Sequence, residues 1–107
     1  MQQQAWPSQI LRKAIVRLVQ REDPELTTLQ FAVLLICNEE SGPHTVRGLA
    51  ARLNVAKPAI TRAVDRLVQF NLARRVDDPQ DRRSVHIAGT GTGLTFLAGL
   101  GADTEAA

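Results

Sequence analysis

Between Thr45 and Phe70 the chain leaves little choice of local fold. Val46, Leu49, Ala50 and Leu53 make one apolar stripe of a short helix, and Thr45 stands where that helix needs an N-cap. Asn54 follows, and asparagine is the commonest substitute for glycine in the left-handed conformation that stops a helix. After only Val55 and Ala56, a second helical pattern runs over 57–70. With residues advancing about 100° each, Ile60, Ala63, Val64 and Leu67 fall within about 60° of one line, so that face packs inward. Pro58 is tolerated because a first-turn N–H has no intrahelical partner, and Asn71 supplies another stop. Two helices of these lengths joined by about three residues read as a helix-turn-helix.

The flanks complete a larger unit. Downstream, residues 72–76 and 84–88 read as short strands around a loop at 77–83, DDPQDRR. Val85 and Ile87 alternate with Ser84 and His86, the period of a half-buried strand. Upstream, Thr27 and Gln30 form a capping box, and Leu26 and Phe31 occupy the positions of a hydrophobic staple. The body behind them, LQFAVLLICNEE, is apolar nearly all round, which predicts a central buried helix ended by Ser41-Gly42-Pro43. Before it, Ser8 caps an amphipathic helix over 8–21 with Arg12, Lys13 and Arg17 on its wet side. Beyond the strands come a weak helix over 94–100 and a fraying tail at 101–107. The expected fold is mainly α with a small β-hairpin, a winged helix-turn-helix ordered α-α-α-α-β-wing-β-short α. At 107 residues this is one domain, with the winged-helix core at 27–88. No apolar run approaches the roughly 18 residues of a membrane span, and MQQQAWPSQ lacks the features of a signal peptide. The lone Cys37 excludes an intrachain disulfide and suits a cytoplasmic protein.

The formal net charge of +2 hides an asymmetry. Over 44–86, nine cations (Arg47, Arg52, Lys57, Arg62, Arg66, Arg74, Arg75, Arg82 and Arg83) stand against Asp65, Asp77, Asp78 and Asp81. The segments on either side are slightly acidic. Such clustering is the electrostatic footprint of a phosphate-binding surface. A major groove admits a helix whose N-terminal side chains reach base edges, and Lys57, Pro58, Thr61 and Arg62 are so placed. Arg62 can fork onto a guanine edge, while Thr61 and Pro58 suit a hydroxyl partner or a thymine methyl. Arg66, a turn later, suits phosphate. The plainer reading of this helix is a solvated face carrying an Arg62–Asp65 or Arg66–Asp65 pair. In the 77–83 loop Pro79 stiffens the turn, and Arg82 and Arg83 are expected at a tip that enters a minor groove. Asp81 is expected to support the wing by hydrogen bonding the Arg83 guanidinium and holding it extended.

Three segments, LTTLQFAVLL, TVRGLAARLNVAKPAITRAVDRL and NLARRVDDPQDRRSVHI, resemble the MarR-type winged-helix transcriptional regulators. The resemblance covers about 26–93. It implies a sequence-specific regulator that binds double-stranded DNA, usually as a homodimer on a near-palindromic site, with a small-molecule effector as a further partner. By position, Lys57, Thr61 and Arg62 fall in the family's recognition helix. Asp81 and Arg83 fall on its wing Asp-x-Arg pair, with Arg83 entering the minor groove. Thr45 and Arg47 fall where such proteins touch phosphate. The chain departs from the family at GTGTG, where only Thr90 and Gly93 match a Leu-Thr-x-x-Gly segment. It resembles a short member with a truncated C-terminal dimerisation region, since 14 residues follow Gly93. Ala56 replaces a frequent capping serine, which weakens that helix start by about 1 kcal/mol.

Other chemistry finds little support. GTGTG lacks the Gly-Lys-Ser/Thr ending of a P-loop. Cys37 sits in the most apolar stretch and reads as a packing residue, and His44 and His86 lack partners at metal-ligand spacing. No catalytic constellation stands out, so neither an enzyme nor a cofactor is expected. The competing function is a winged-helix module for protein–protein interaction without specific DNA binding. Salt-dependent binding to duplex DNA separates the two.

Overall fold

A computed structural model describes residues 7–21 and 24–106, with side chains as far as Leu100. Along the chain run α1 (Pro7–Gln20), α2 (Thr28–Glu39), α3 (Val46–Leu53), α4 (Lys57–Gln69), β1 (Ala73–Asp78), β2 (Asp81–Gly89) and α5 (Gly91–Ala106). The helix starts follow the local chemistry. The Thr27 hydroxyl accepts from the Gln30 N–H, and the Gln30 side chain accepts from the Thr27 N–H, closing the capping box. Thr45 caps α3 by accepting from the Gly48 N–H at 3.0 Å, and Asn54 ends it in the left-handed region. Ala56 offers α4 no side-chain cap, whereas Pro58 occupies its first turn.

Val33, Leu34, Ile36 and Cys37 of α2 are buried against Ile60, Ala63, Val64 and Leu67 of α4, with Leu49 and Ala50 of α3 beside them. Leu72, Ala73 and Ile87 close the core on the sheet side, and Phe96 and Leu100 close it from α5. The inward face of α4 is the one expected from its periodicity. A backbone bond from the Ile87 N–H to the His44 carbonyl (2.7 Å) fastens the hairpin to the α2–α3 connection. Helix α1 packs on α5 through Ala14 and Leu18, but none of its residues is buried. No helix among the described residues is long and apolar enough to cross a membrane.

Two boundaries differ from expectation. The strands run through most of the 77–83 loop, leaving Pro79 and Gln80 as the turn. Pairing continues past the apolar residues because backbone groups can pair whatever side chains they carry. The Asp78 carboxylate helps close the turn by accepting from the Gln80 N–H at 2.9 Å. Arg82 and Arg83 therefore fall within β2, directly after the two-residue turn. The C-terminal helix is also longer than the expected 94–100, with helical backbone over Gly91–Ala106. Its start is set by Thr90, whose hydroxyl accepts from the Gly93 N–H (2.8 Å) and donates to the Asn71 carbonyl (2.7 Å).

Candidate nucleic-acid interface

Helix α4 presents its N-terminal turns outward. Lys57, Pro58, Thr61 and Arg62 are all exposed, and Ile60, at the centre of the inward face, is fully buried. The rotation of the helix is thus fixed by its core residues, and the candidate reading residues have no freedom to turn inward. On α3, Arg47 is exposed, while Thr45 is half-buried with its hydroxyl engaged in capping.

The cations of this region divide by their partners. Arg52 makes a two-pronged hydrogen bond to Glu40 (2.5 and 2.7 Å), tying α3 to α2 and holding the Glu40 carboxyl below its ordinary range. Arg75 pairs with Asp65, tying β1 to α4. Arg66, expected to reach phosphate, lies half-buried with its guanidinium 4.5 Å from the centre of the Phe70 ring. The side chains of Arg47, Lys57, Arg62, Arg74, Arg82 and Arg83 make no hydrogen bond, ion pair or ring contact among the described residues. Six of the nine cations over 44–86 are therefore left for solvent or a ligand. Arg12 and Lys13 also lack a partner among the described residues, but they belong to α1, which packs on α5. Neither the Arg62–Asp65 nor the Arg66–Asp65 pair of the plainer reading forms; Asp65 is engaged by Arg75.

The hairpin aims its arginines by an irregularity in the ladder. Asp77 pairs with Val85 and Asp78 with Asp81, so Arg82, Arg83 and Ser84 have no opposite number on β1. Such a bulge bends the strand and re-aims its side chains. Asp81 organises it differently from expectation. Its carboxylate accepts from the Arg83 backbone N–H and from the Ser84 hydroxyl, each at 3.0 Å, instead of gripping the Arg83 guanidinium. The backbone bond lies two residues along, which is the local turn favoured by aspartate. The arginine head is left unpaired.

Sequence reasoning missed the Glu40–Arg52 and Asp65–Arg75 ties, which join residues 12 and 10 positions apart across turns of unknown geometry. The Arg66–Phe70 contact had a usable signal, since residues four apart share a helix face. Elsewhere, Cys37 is buried, and desolvation pushes its thiol up to about 11, so it is protonated near neutrality. His44 bonds the Glu40 carbonyl (2.9 Å) and His86 lies 3.5 Å from Asp78. No group of three or more His, Cys, Asp or Glu placed to hold a metal occurs among the described residues.

The family model described as MarR family matches residues 26–85, which is more than half of the chain. The chain belongs to the MarR family. Solved structures agree with this. The transcriptional regulator BldR from Sulfolobus solfataricus is 32% identical, with a TM-score of 0.67, and the match covers 88% of this chain and 64% of that one. Wild-type apo MarR from E. coli is 26% identical, with a TM-score of 0.69 over 88% of this chain and 67% of that one. A MepR variant from S. aureus, bound to an oligodeoxyribonucleotide, shares the fold at 20% identity and a TM-score of 0.71, over 92% and 70%. The chain spans about two-thirds of the length of these proteins, 64% in the case of BldR. No curated protein matches it. This MarR-family chain thus shares the fold of transcriptional regulators.

Proposed function

We propose that this chain is a sequence-specific double-stranded DNA-binding regulator, with α4 in the major groove and the β1–β2 hairpin against the minor groove. The observation that carries the reading is the set of unpartnered cations on α3, α4 and β2, beside arginines of the same region that are tied into the fold. A fold that pairs Arg52 and Arg75 internally but leaves Arg47, Lys57, Arg62, Arg82 and Arg83 free is supplied with charge for an external polyanion. Lys57, Thr61 and Arg62, with Pro58, face the base edges in this reading; Arg47 and Thr45 border phosphate, and Arg83 enters the minor groove.

The working unit is a homodimer. Leu11, Ile15, Val16 and Val19 on α1 are 60%, 41%, 48% and 77% exposed, an apolar face that a second copy would cover. Two-fold symmetry would then suit a near-palindromic site. An effector has a place in the cleft of about 510 Å³ between the end of α4 and the start of α5, walled by Phe70 and Phe96 with Arg21 at its edge. The Arg21 guanidinium there is already engaged, donating to the Phe96 carbonyl (2.9 Å) and lying 4.2 Å from the centre of the Phe96 ring.

Titration against duplex DNA at several salt concentrations tests the reading. Log affinity should fall linearly with log salt, by about 0.9 per phosphate neutralised. No binding to any duplex at low salt would overturn it.

A further inference from the structure

Asp65 is out of place on a surface that meets phosphate. It lies on the outward side of α4, 60% exposed, three residues after Arg62 and immediately before Arg66. Its carboxylate would repel DNA unless it has other work. The structure gives it such work: Oδ1 receives a hydrogen bond from Nη2 of Arg75 on β1. Arg75 stands opposite Ile87 in the ladder, and Ile87 is buried at the base of the hairpin. The chain between α4 and β1 is short, with the Leu72 N–H bonded to the Leu67 carbonyl (2.8 Å), and the Ile87 N–H bonds the His44 carbonyl (2.7 Å), so backbone bonds hold the base of the hairpin. Leu72, Ala73 and Ile87 anchor the base of the hairpin, while residues 77–83 extend beyond the buried core. Besides the core contacts at the base, the Asp65–Arg75 pair is the side-chain tie from the outward face of α4 to the hairpin among the described residues.

We propose that Asp65 and Arg75 are positioning residues for DNA reading: their ion pair sets the angle of the hairpin on α4, so that one rigid body presents both to adjacent grooves. The proposal rests on the DNA-binding reading above. It predicts an effect opposite in sign to that of charge alone. Asp65→Asn removes a negative charge from the interface, so electrostatics by itself gives tighter binding to every duplex and a steeper salt dependence. Loss of positioning gives weaker binding to the preferred sequence, with binding to other sequences unchanged or stronger.

The test uses duplexes that the unaltered protein enriches from a random-sequence pool, against scrambled duplexes of the same length and composition. Asp65→Asn and Arg75→Gln should each lower the ratio of specific to non-specific affinity about 3- to 10-fold, with the midpoint of thermal unfolding little changed. The exchanged pair, Asp65→Arg with Arg75→Asp, should recover most of that ratio. Residual dipolar couplings of hairpin amides relative to α4 in the free protein supply a readout that needs no DNA; they should shrink in Asp65→Asn and return in the exchange. An unchanged or higher specificity ratio in Asp65→Asn, or couplings that do not move, would overturn the proposal. Absence of any duplex binding by the unaltered protein would remove the DNA-binding reading instead, a result distinct from unmoved couplings.

Discussion

Arg62 and Arg66 sit one helical turn apart, yet the fold treats them differently. Arg66 lies over Phe70 and is half-buried, so its methylenes and its charge are already engaged. Arg62 is exposed and unpartnered. Arg62→Ala should therefore cost roughly 1–3 kcal/mol of binding and relax sequence preference at one base position, measured by competition among single-base variants of the preferred duplex. Arg83→Ala should weaken binding and reduce any preference for A·T-rich flanks, since a narrow minor groove attracts an inserted arginine. Equal weakening on all sequences would make Arg62 a phosphate contact, and an unchanged affinity for Arg83→Ala would remove the hairpin from the mechanism. Residue types alone predicted cations at these places. They did not show which would be consumed internally, because that depends on partners ten or more positions away.

At the level of elements, the helix ends were the most legible part of the fold. The capping box at Thr27, the Thr45 cap and the Asn54 stop are local devices, complete within a few residues, and each stands where expected. Helix α4 lacks such a device, with Ala56 at its N-cap. Ala56→Ser should raise unfolding free energy by about 1 kcal/mol, measured by denaturant titration, with the α4 face unchanged. The start of α5 was less legible. GTGTG reads as a flexible turn, but Thr90 caps a helix there, and Gly93 lies so close to the Leu72 carbonyl that an added Cβ would stand 2.5 Å from that oxygen. Gly93→Ala should destabilise the fold by about 1–3 kcal/mol through overpacking, seen as a lower denaturation midpoint at unchanged slope. Thr90 and Gly93, the positions of that segment that match the family pattern, both contact the residues just after α4, as does Thr92, whose hydroxyl accepts from the Asn71 side-chain amide (3.1 Å). The hairpin was recognisable from its alternation, but its length was not. Polar residues carry no periodic apolar signal, yet the Asp78–Asp81 pair carries the ladder past the unpaired Arg82, Arg83 and Ser84 to the turn.

For the molecule as a whole, the exposed stripe of α1 is the feature that a single copy leaves unexplained. A helix with no buried residue and Val19 at 77% exposure leaves apolar surface in water, which costs about 25 cal/mol per Å². Sedimentation equilibrium should find a dimer at micromolar concentration, and Val19→Asp should shift it towards monomer and weaken binding to a two-half-site duplex. A monomer at micromolar concentration for the unaltered chain would overturn the dimer. The salt titration belongs to this scale as well, because its slope counts phosphates over the whole interface.

The sequence by itself determined the succession of helices, their caps, the inward face of α4 and the basic middle segment, since all of these arise from interactions between near neighbours. The tertiary structure decided which arginines remain free, how the Asp81 carboxylate shapes the bulge, where the strands end and which carboxylate faces which guanidinium. Those outcomes depend on distances between segments brought together only by burial of the common core. Hydrophobic periodicity specifies which face turns inward, but not which polar groups then meet on the outside.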